Sequence, residues 1–207
     1  MKKIFTTLLI LGAGLFGFSQ KLDTVYRNAG YGQMEHVGLF KESNGNTIIA
    51  GSYANSVNDI DPGAATVALP TANSFGFYII KYSASGSYIS HMSVNGTANV
   101  MAQDVARDAA GNYFVVGDFS GTVDFDPSAA VFNANSGTSN GKAFIAKYDQ
   151  NFNFLSVNTF TATNYSAFQS IKIDAAGKIY LGGYFWGTQD FDFGAGVANE
   201  TSTTTGS

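Results

Sequence analysis

The side chains best placed by type and spacing to do chemistry are three aspartate pairs: Asp59/Asp61, Asp124/Asp126 and Asp190/Asp192. Each pair brackets one apolar residue, Ile60, Phe125 or Phe191. In an extended segment both carboxylates then share one face and the apolar residue takes the other. Neighbouring carboxylates repel, and a Ca²⁺ ion taking both together with loop carbonyls would relieve that repulsion. The pattern lacks the third acidic ligand and the later bidentate Glu of an EF-hand loop. Such carboxylates also cap turns by accepting backbone N–H bonds, while the apolar residue anchors the loop in the core. Turn capping is the favoured assignment, with calcium at the D-x-D loops as the alternative.

The remaining reactive residues are sparse. The chain has no Cys, which removes disulfides, thiolate nucleophiles and thiolate metal sites. His36 and His91 align with Ala102 and Val157 across the repeat described below, so neither histidine belongs to it, and both read as scattered surface residues. Trp186, beside a glycine turn, could stack on a sugar ring, but packing between repeat units is favoured. No G-x-S-x-G elbow, H-E-x-x-H pair or phosphate-cradling glycine loop is present. No catalytic, cofactor-binding or metal residue is assigned, and the chain is expected not to be an enzyme.

The elements that must position these residues come from an internal repeat. SNGNTIIAGSY from Ser43, DAAGNYFVVGDF from Asp108 and DAAGKIYLGGYF from Asp174 superimpose. Gly45, Gly111 and Gly177 fall 66 residues apart, as do Gly51, Gly117 and Gly183, and also Lys81 and Lys147. The motifs DIDP, DFDP and DFDF keep the same phase once Asn58 is counted as one inserted residue. The second unit predicts four strands, over Gln103–Arg107, Asn112–Phe119, Ala143–Tyr148 and Phe154–Phe160, with a long loop from Gly121 to Gly141 carrying the aspartates.

The second strand of each unit is apolar on both faces. Tyr113, Val115 and Phe119 oppose Phe114 and Val116, where a sheet with one solvated face would alternate apolar and polar. Both faces therefore need covering. Four-stranded sheets stacked around an axis achieve this, so the expected fold is all-β, a β-propeller. The units are shorter than the ~100 residues of an immunoglobulin-like sandwich. The expected division is a signal peptide over 1–19, a closing strand over 20–30 donated to the last blade, blade 1 over 31–96, blade 2 over 97–162 and a partial blade 3 over 163–207. The closing strand is LDTVYRN, Leu22–Asn28, one repeat ahead of the fourth strand of blade 1. Ser207 aligns with Gly141, just before a third strand, and four blades would take about 264 residues. The chain is accordingly expected to be a piece of a longer protein whose ring is incomplete here.

Composition sets the compartment and excludes some partners. Met1-Lys2-Lys3 heads an apolar run from Ile4 to Phe18, and Gly17 and Ser19 suit a signal peptidase, so cleavage after Ser19 and secretion are expected. No later segment approaches the ~20 apolar residues of a membrane-spanning helix. Without Lys2 and Lys3 the chain keeps nine basic residues against 15 acidic, a net charge of about −6. With no basic cluster, nucleic acid is not an expected partner.

The stretches DVARDAAGNYFVVGDFSGTVDFDP and FIAKYDQNFNFLSVNTF resemble the SBBP-type (seven-bladed β-propeller) repeats of secreted bacterial proteins, notably in Bacteroidetes. The likeness runs from Tyr31 to Ser207. It departs at Ser43-Asn44, at Phe193 where Pro is expected, and at Phe152 in place of a turn glycine. The resemblance implies a secreted or cell-surface location and a binding or scaffolding role toward protein or glycan partners. The rival expectations are a secreted hydrolase or lyase acting on polysaccharide at the propeller axis, and a structural spacer within an adhesin.

Overall fold

Turn chemistry cuts the chain into strands. Glu42, Asp108 and Asp174 each open a hairpin in which their own N–H donates to the carbonyl four residues on, and their carbonyl accepts from the glycine three residues on. Those glycines, Gly45, Gly111 and Gly177, lie at φ 89°, 88° and 82°. For a residue with a Cβ that left-handed region costs about 1–2 kcal/mol. The hairpin from Asp149 to Asn153 makes the same two backbone bonds, yet places Phe152 at φ 71° where its sister hairpin has Gly86 at 88°.

The computed structural model describes residues 33–57, 59–137, 141–160, 164–192 and 194–203. The expected signal peptide and the closing strand Leu22–Asn28 lie outside the described residues, as do Asn58 and Phe193. The first unit is a meander of β1 (Gln33–Lys41), β2 (Thr47–Asn55), β3 (Ala72–Tyr82) and β4 (Tyr88–Val94), antiparallel and paired in chain order. The second repeats it with β5 (Val100–Arg107), β6 (Tyr113–Phe119), β9 (Lys142–Tyr148) and β10 (Phe154–Thr159). Between β6 and β9, the expected loop forms a short ribbon of β7 (Thr122–Asp124) and β8 (Asn133–Asn135). The third unit pairs β11 (Ser166–Ile173) with β12 (Ile179–Phe185) and carries its own ribbon, β13 (Thr188–Asp190) with β14 (Asn199–Thr201).

The strand expectations hold to within one residue for the second unit, except at the start of its first strand. Its first strand begins at Val100, not Gln103, because a β-bulge lets it continue: the register slips between Ala102 and Asp104, leaving Gln103 as the extra residue. The same slip leaves out Val37 in β1 and Gln169 in β11, each 66 residues from the next. Opposite the bulge stand Gly51, Gly117 and Gly183. A Cβ on these glycines would fall on the carbonyl oxygens of Glu35, Met101 and Ala167 respectively. The second repeated glycine is therefore required by close backbone approach, and the first by its dihedral angle.

Both faces of the first and second sheets are covered, and successive sheets cover one another. Ile48, Ala50, Phe77, Ile79, Met92 and Val94 of the first unit form one buried cluster with β5, β6 and β9 of the second, including Val115, Phe119 and Phe144. The opposite face of the second sheet, with Phe114, Val116 and Ile145, meets Phe168 and Ile171 of the third unit. The first sheet's other face, with Tyr53, Tyr78 and Tyr82, packs beneath Ile60 and Leu69 of its own aspartate loop. The described residues contain several small antiparallel sheets and no helix, and no helix is long and apolar enough to cross a membrane.

Candidate functional site

The three aspartate pairs adopt one geometry. Asp59 Oδ1 accepts from the N–H groups of Asp61 (3.0 Å) and Val67 (3.1 Å). Asp124 Oδ1 accepts from Asp126 (3.1 Å) and Phe132 (2.8 Å), and Asp190 Oδ1 from Asp192 (3.0 Å) and Ala198 (2.8 Å). The first carboxylate thus clamps the loop across eight residues. The second turns the chain locally, since Asp61, Asp126 and Asp192 each accept from the N–H two residues on. The amides of Ala198 and Asp192 hold the Asp190 carboxyl below the usual carboxylate range.

The bracketed residue does the anchoring. Ile60 and Phe125 are fully buried, and their carbonyls accept from the hydroxyls of Tyr82 (2.7 Å) and Tyr148 (2.8 Å), themselves 66 residues apart. Phe191 keeps 40% of its surface open. It borders an apolar cavity of about 230 Å³ with Phe160, Phe168, Leu181 and Phe185. In the second unit Phe119 and Phe125 meet edge to face at 5.5 Å, and the Phe144 ring packs against both, 5.0 Å from Phe125 and 6.3 Å from Phe119. Among the described residues no group of three or more His, Asp or Glu side chains converges. This arrangement gives the carboxylates a structural task, and each has one oxygen committed to it.

Glu42 stands where the other units have Asp, and its extra methylene has a purpose. Its Oε1 reaches Arg107 Nη2 of the second unit at 3.1 Å and Lys81 Nζ at 3.4 Å, with all three side chains largely covered. Burial alone would raise the Glu42 carboxyl, but the Asn46 amide, Lys81 and Arg107 outweigh it and hold it below its ordinary value. Lys81 also donates to the Gln150 carbonyl (3.0 Å) and lies 5.4 Å above the Phe152 ring. Phe152 is in turn buried against Tyr113. A polar lock thus ties the first unit to the second hairpin of its neighbour.

Both histidines are surface residues, His36 exposed and His91 half-buried, and each is paired with a tyrosine. The Tyr78 hydroxyl and His36 Nδ1 lie 2.6 Å apart, and the Tyr88 hydroxyl and His91 Nδ1 2.7 Å apart. Crowding of each ring favours the neutral imidazole, so both pKa values fall below the ordinary one. Trp186 sits in an aromatic cluster. The rings it meets among the described residues, Tyr165 at 5.3 Å and Tyr184 at 5.9 Å, belong to its own unit rather than to a neighbour.

Where the first and second units meet at their outer edge, a polar cleft of about 510 Å³ opens. The second unit lines it with Asp126, Asn151, Asn153 and Phe154, and the first with His91. The sequence does not bring these residues together, because they are remote in the chain and only Asp126 and His91 stand out by type. The signal available is that His91 and the neighbouring Phe152 both break the repeat.

The architecture defines an all-β repeat protein whose antiparallel sheets stack face to face. No family model matches the chain, and no curated protein matches it.

Proposed function

We propose that this chain is an exported β-propeller-type repeat protein of the SBBP kind, each four-stranded unit serving as a blade. Its role is that of a non-enzymatic scaffold that presents the loops between units to glycan or protein partners at the cell surface. The observation that carries the reading is the stacking of four-stranded meanders, apolar on both faces, at a constant spacing of 66 residues, since sheets of this kind bury themselves by packing in series. The carboxylates best suited to chemistry are engaged in holding loops, which fits a scaffold. The basic head and apolar run at the N-terminus support export.

The test is a glycan array together with capture of surface proteins by the purified protein, run beside an assay for reducing ends released from polysaccharides. Binding without turnover is expected. Release of reducing ends would overturn the non-enzymatic reading, and retention of the protein inside the cell on fractionation would overturn export.

A further inference from the structure

We propose that the cleft between the first and second units is a saccharide subsite that takes one or two neutral pyranose rings. This rests on the scaffold reading and adds to it a place and a ligand chemistry. In a repeat protein, residues that keep the repeat are explained by the fold, and residues that leave it need another account. His91 stands where the next unit has Val157, and Phe152 where the previous hairpin has Gly86. Phe152 takes a left-handed backbone, φ 71°, that a glycine would adopt without strain; its ring is buried against Tyr113, so it shapes the wall of the cleft and His91 is the departure that offers a polar group. Both departures border the same cleft, one from each side of the unit boundary.

The lining has the chemistry of a sugar site. The volume of about 510 Å³ lies within the usual range for small-ligand sites. Asn151 and Asn153 each carry an amide that donates and accepts, which suits adjacent hydroxyls of a sugar ring. Asp126 adds an acceptor whose other oxygen is fixed by the Ser128 N–H at 2.9 Å. Among the lining residues there is no Lys or Arg, so an anionic ligand lacks a counter-charge. Phe154, packed on Phe132 at 5.0 Å, supplies an aromatic surface for the C–H face of a pyranose.

Part of the donor set is held before any ligand arrives. When the Tyr88 hydroxyl donates to Nδ1 of neutral His91, the proton of the imidazole sits on Nε2, a donor for a sugar oxygen. Asn153 Nδ2 donates to Asp149 Oδ2 at 2.8 Å, which fixes the amide, and the hairpin itself is closed by Asp149 Oδ1 accepting from the N–H groups of Asn151 and Asn153. A fixed set of donors and acceptors loses little entropy on binding.

The chain has two histidines, so imidazole NMR signals report on the cleft directly, with His36 as an internal control. The whole protein is titrated with the methyl glycosides of glucose, galactose, mannose and N-acetylglucosamine, with cellobiose, and separately with choline as a cationic probe. At least one saccharide is expected to shift the His91 signal saturably while His36 stays still. The variants His91→Val and Asn151→Ser install the repeat's own residues, and should bind that saccharide at least tenfold more weakly at an unchanged melting temperature. The proposal is overturned if no saccharide moves His91, if choline alone does, or if both variants bind as the parent does in saturation-transfer measurements. Glycan-array binding that survives both variants would remove the cleft while leaving the scaffold reading intact. Array silence combined with an unmoved His91 would remove the glycan arm of both.

Discussion

Replacing Gly117 by alanine should unseat the bulge that organises the central unit, and the cost can be worked from the contacts. The new Cβ would fall on the Met101 carbonyl oxygen and lie 3.3 Å from Ala102 Cα. Both are backbone atoms, so neither can swing aside as a flexible side chain would, and β5 must move away from β6. Overpacking of this kind costs about 1–3 kcal/mol, and each ladder hydrogen bond weakened adds about 1 kcal/mol. Loss of unfolded-chain entropy returns about 0.4–1 kcal/mol. A net destabilisation of about 2–3 kcal/mol follows, or a fall in Tm of roughly 5–10 °C for a chain of this length.

Gly177→Ala is the matched control. It sits at φ 82° with no neighbouring heavy atom within 4 Å of where an added methyl would lie, so only the left-handed strain of about 1–2 kcal/mol applies, partly returned by the same entropy effect. Thermal and urea melts followed by far-UV circular dichroism read both variants, with the urea slope checking that compactness is unchanged. Gly117→Ala should lose clearly more than Gly177→Ala. Gly183→Ala, in the two-stranded sheet of the third unit, should fall between them. Equal losses at positions 117 and 177 would refute the bulge as the reason for the second glycine.

Ser52→Ala removes a buried hydroxyl that accepts from the Ala102 N–H (2.9 Å) and donates to its carbonyl (3.1 Å), and should cost about 1–2 kcal/mol with faster hydrogen exchange at Ala102. Asp124→Asn keeps an acceptor for the Asp126 and Phe132 amides and should melt close to the parent, whereas Asp124→Ala should lose about 1–2 kcal/mol; equal losses, or a melting temperature raised by Ca²⁺, would favour a metal. Phe152→Gly relieves the left-handed strain but empties a buried ring site between Tyr113 and Lys81, so a net loss of about 2–3 kcal/mol is expected in urea melts. His36 and His91 are held neutral in the fold, so the unfolded chain takes up protons first; stability is full above the ordinary histidine value of about 6.5 and declines as pH falls below it, a slope that His91→Val should flatten.

What the sequence discloses and what it hides divide along physical lines. Turn positions are legible because left-handed backbone and Asx-type bonds demand particular residues locally: Gly111, Asp108 and the Asp124/Asp126 pair can be read without knowing any partner. Apolar residues on both faces of β6 disclose the two covered faces for the same reason. The bulge is not legible, since its extra residues, Val37, Gln103 and Gln169, share no side-chain chemistry, and the constraint falls on the opposite glycine instead. The Glu42–Arg107 pair and the cleft that His91 borders are hidden because they depend on which loops face each other across a unit boundary. A substitution of Glu for Asp, or a lone His outside the repeat, is the only trace they leave.

One position shows why the boundaries drift while the turns stay fixed. Residues 52, 118 and 184 occupy the same place on the second strand of each unit. Ser52 meets the next unit through its hydroxyl at the Ala102 backbone. Asp118 is buried; burial raises its carboxyl, and hydrogen bonds from Tyr165 and Gln103 only partly oppose that. Tyr184 instead stacks at 5.7 Å on Tyr165 of its own unit. A turn must satisfy a dihedral angle that has few solutions, so it tolerates little change. A face of a unit need only be filled and have its polar atoms paired, which a hydroxyl, a carboxyl or an aromatic ring can each do in its own way. Variation at the boundaries is therefore compatible with the fold, and it is at a boundary, beside His91, that a binding site could be built without disturbing the strands on either side.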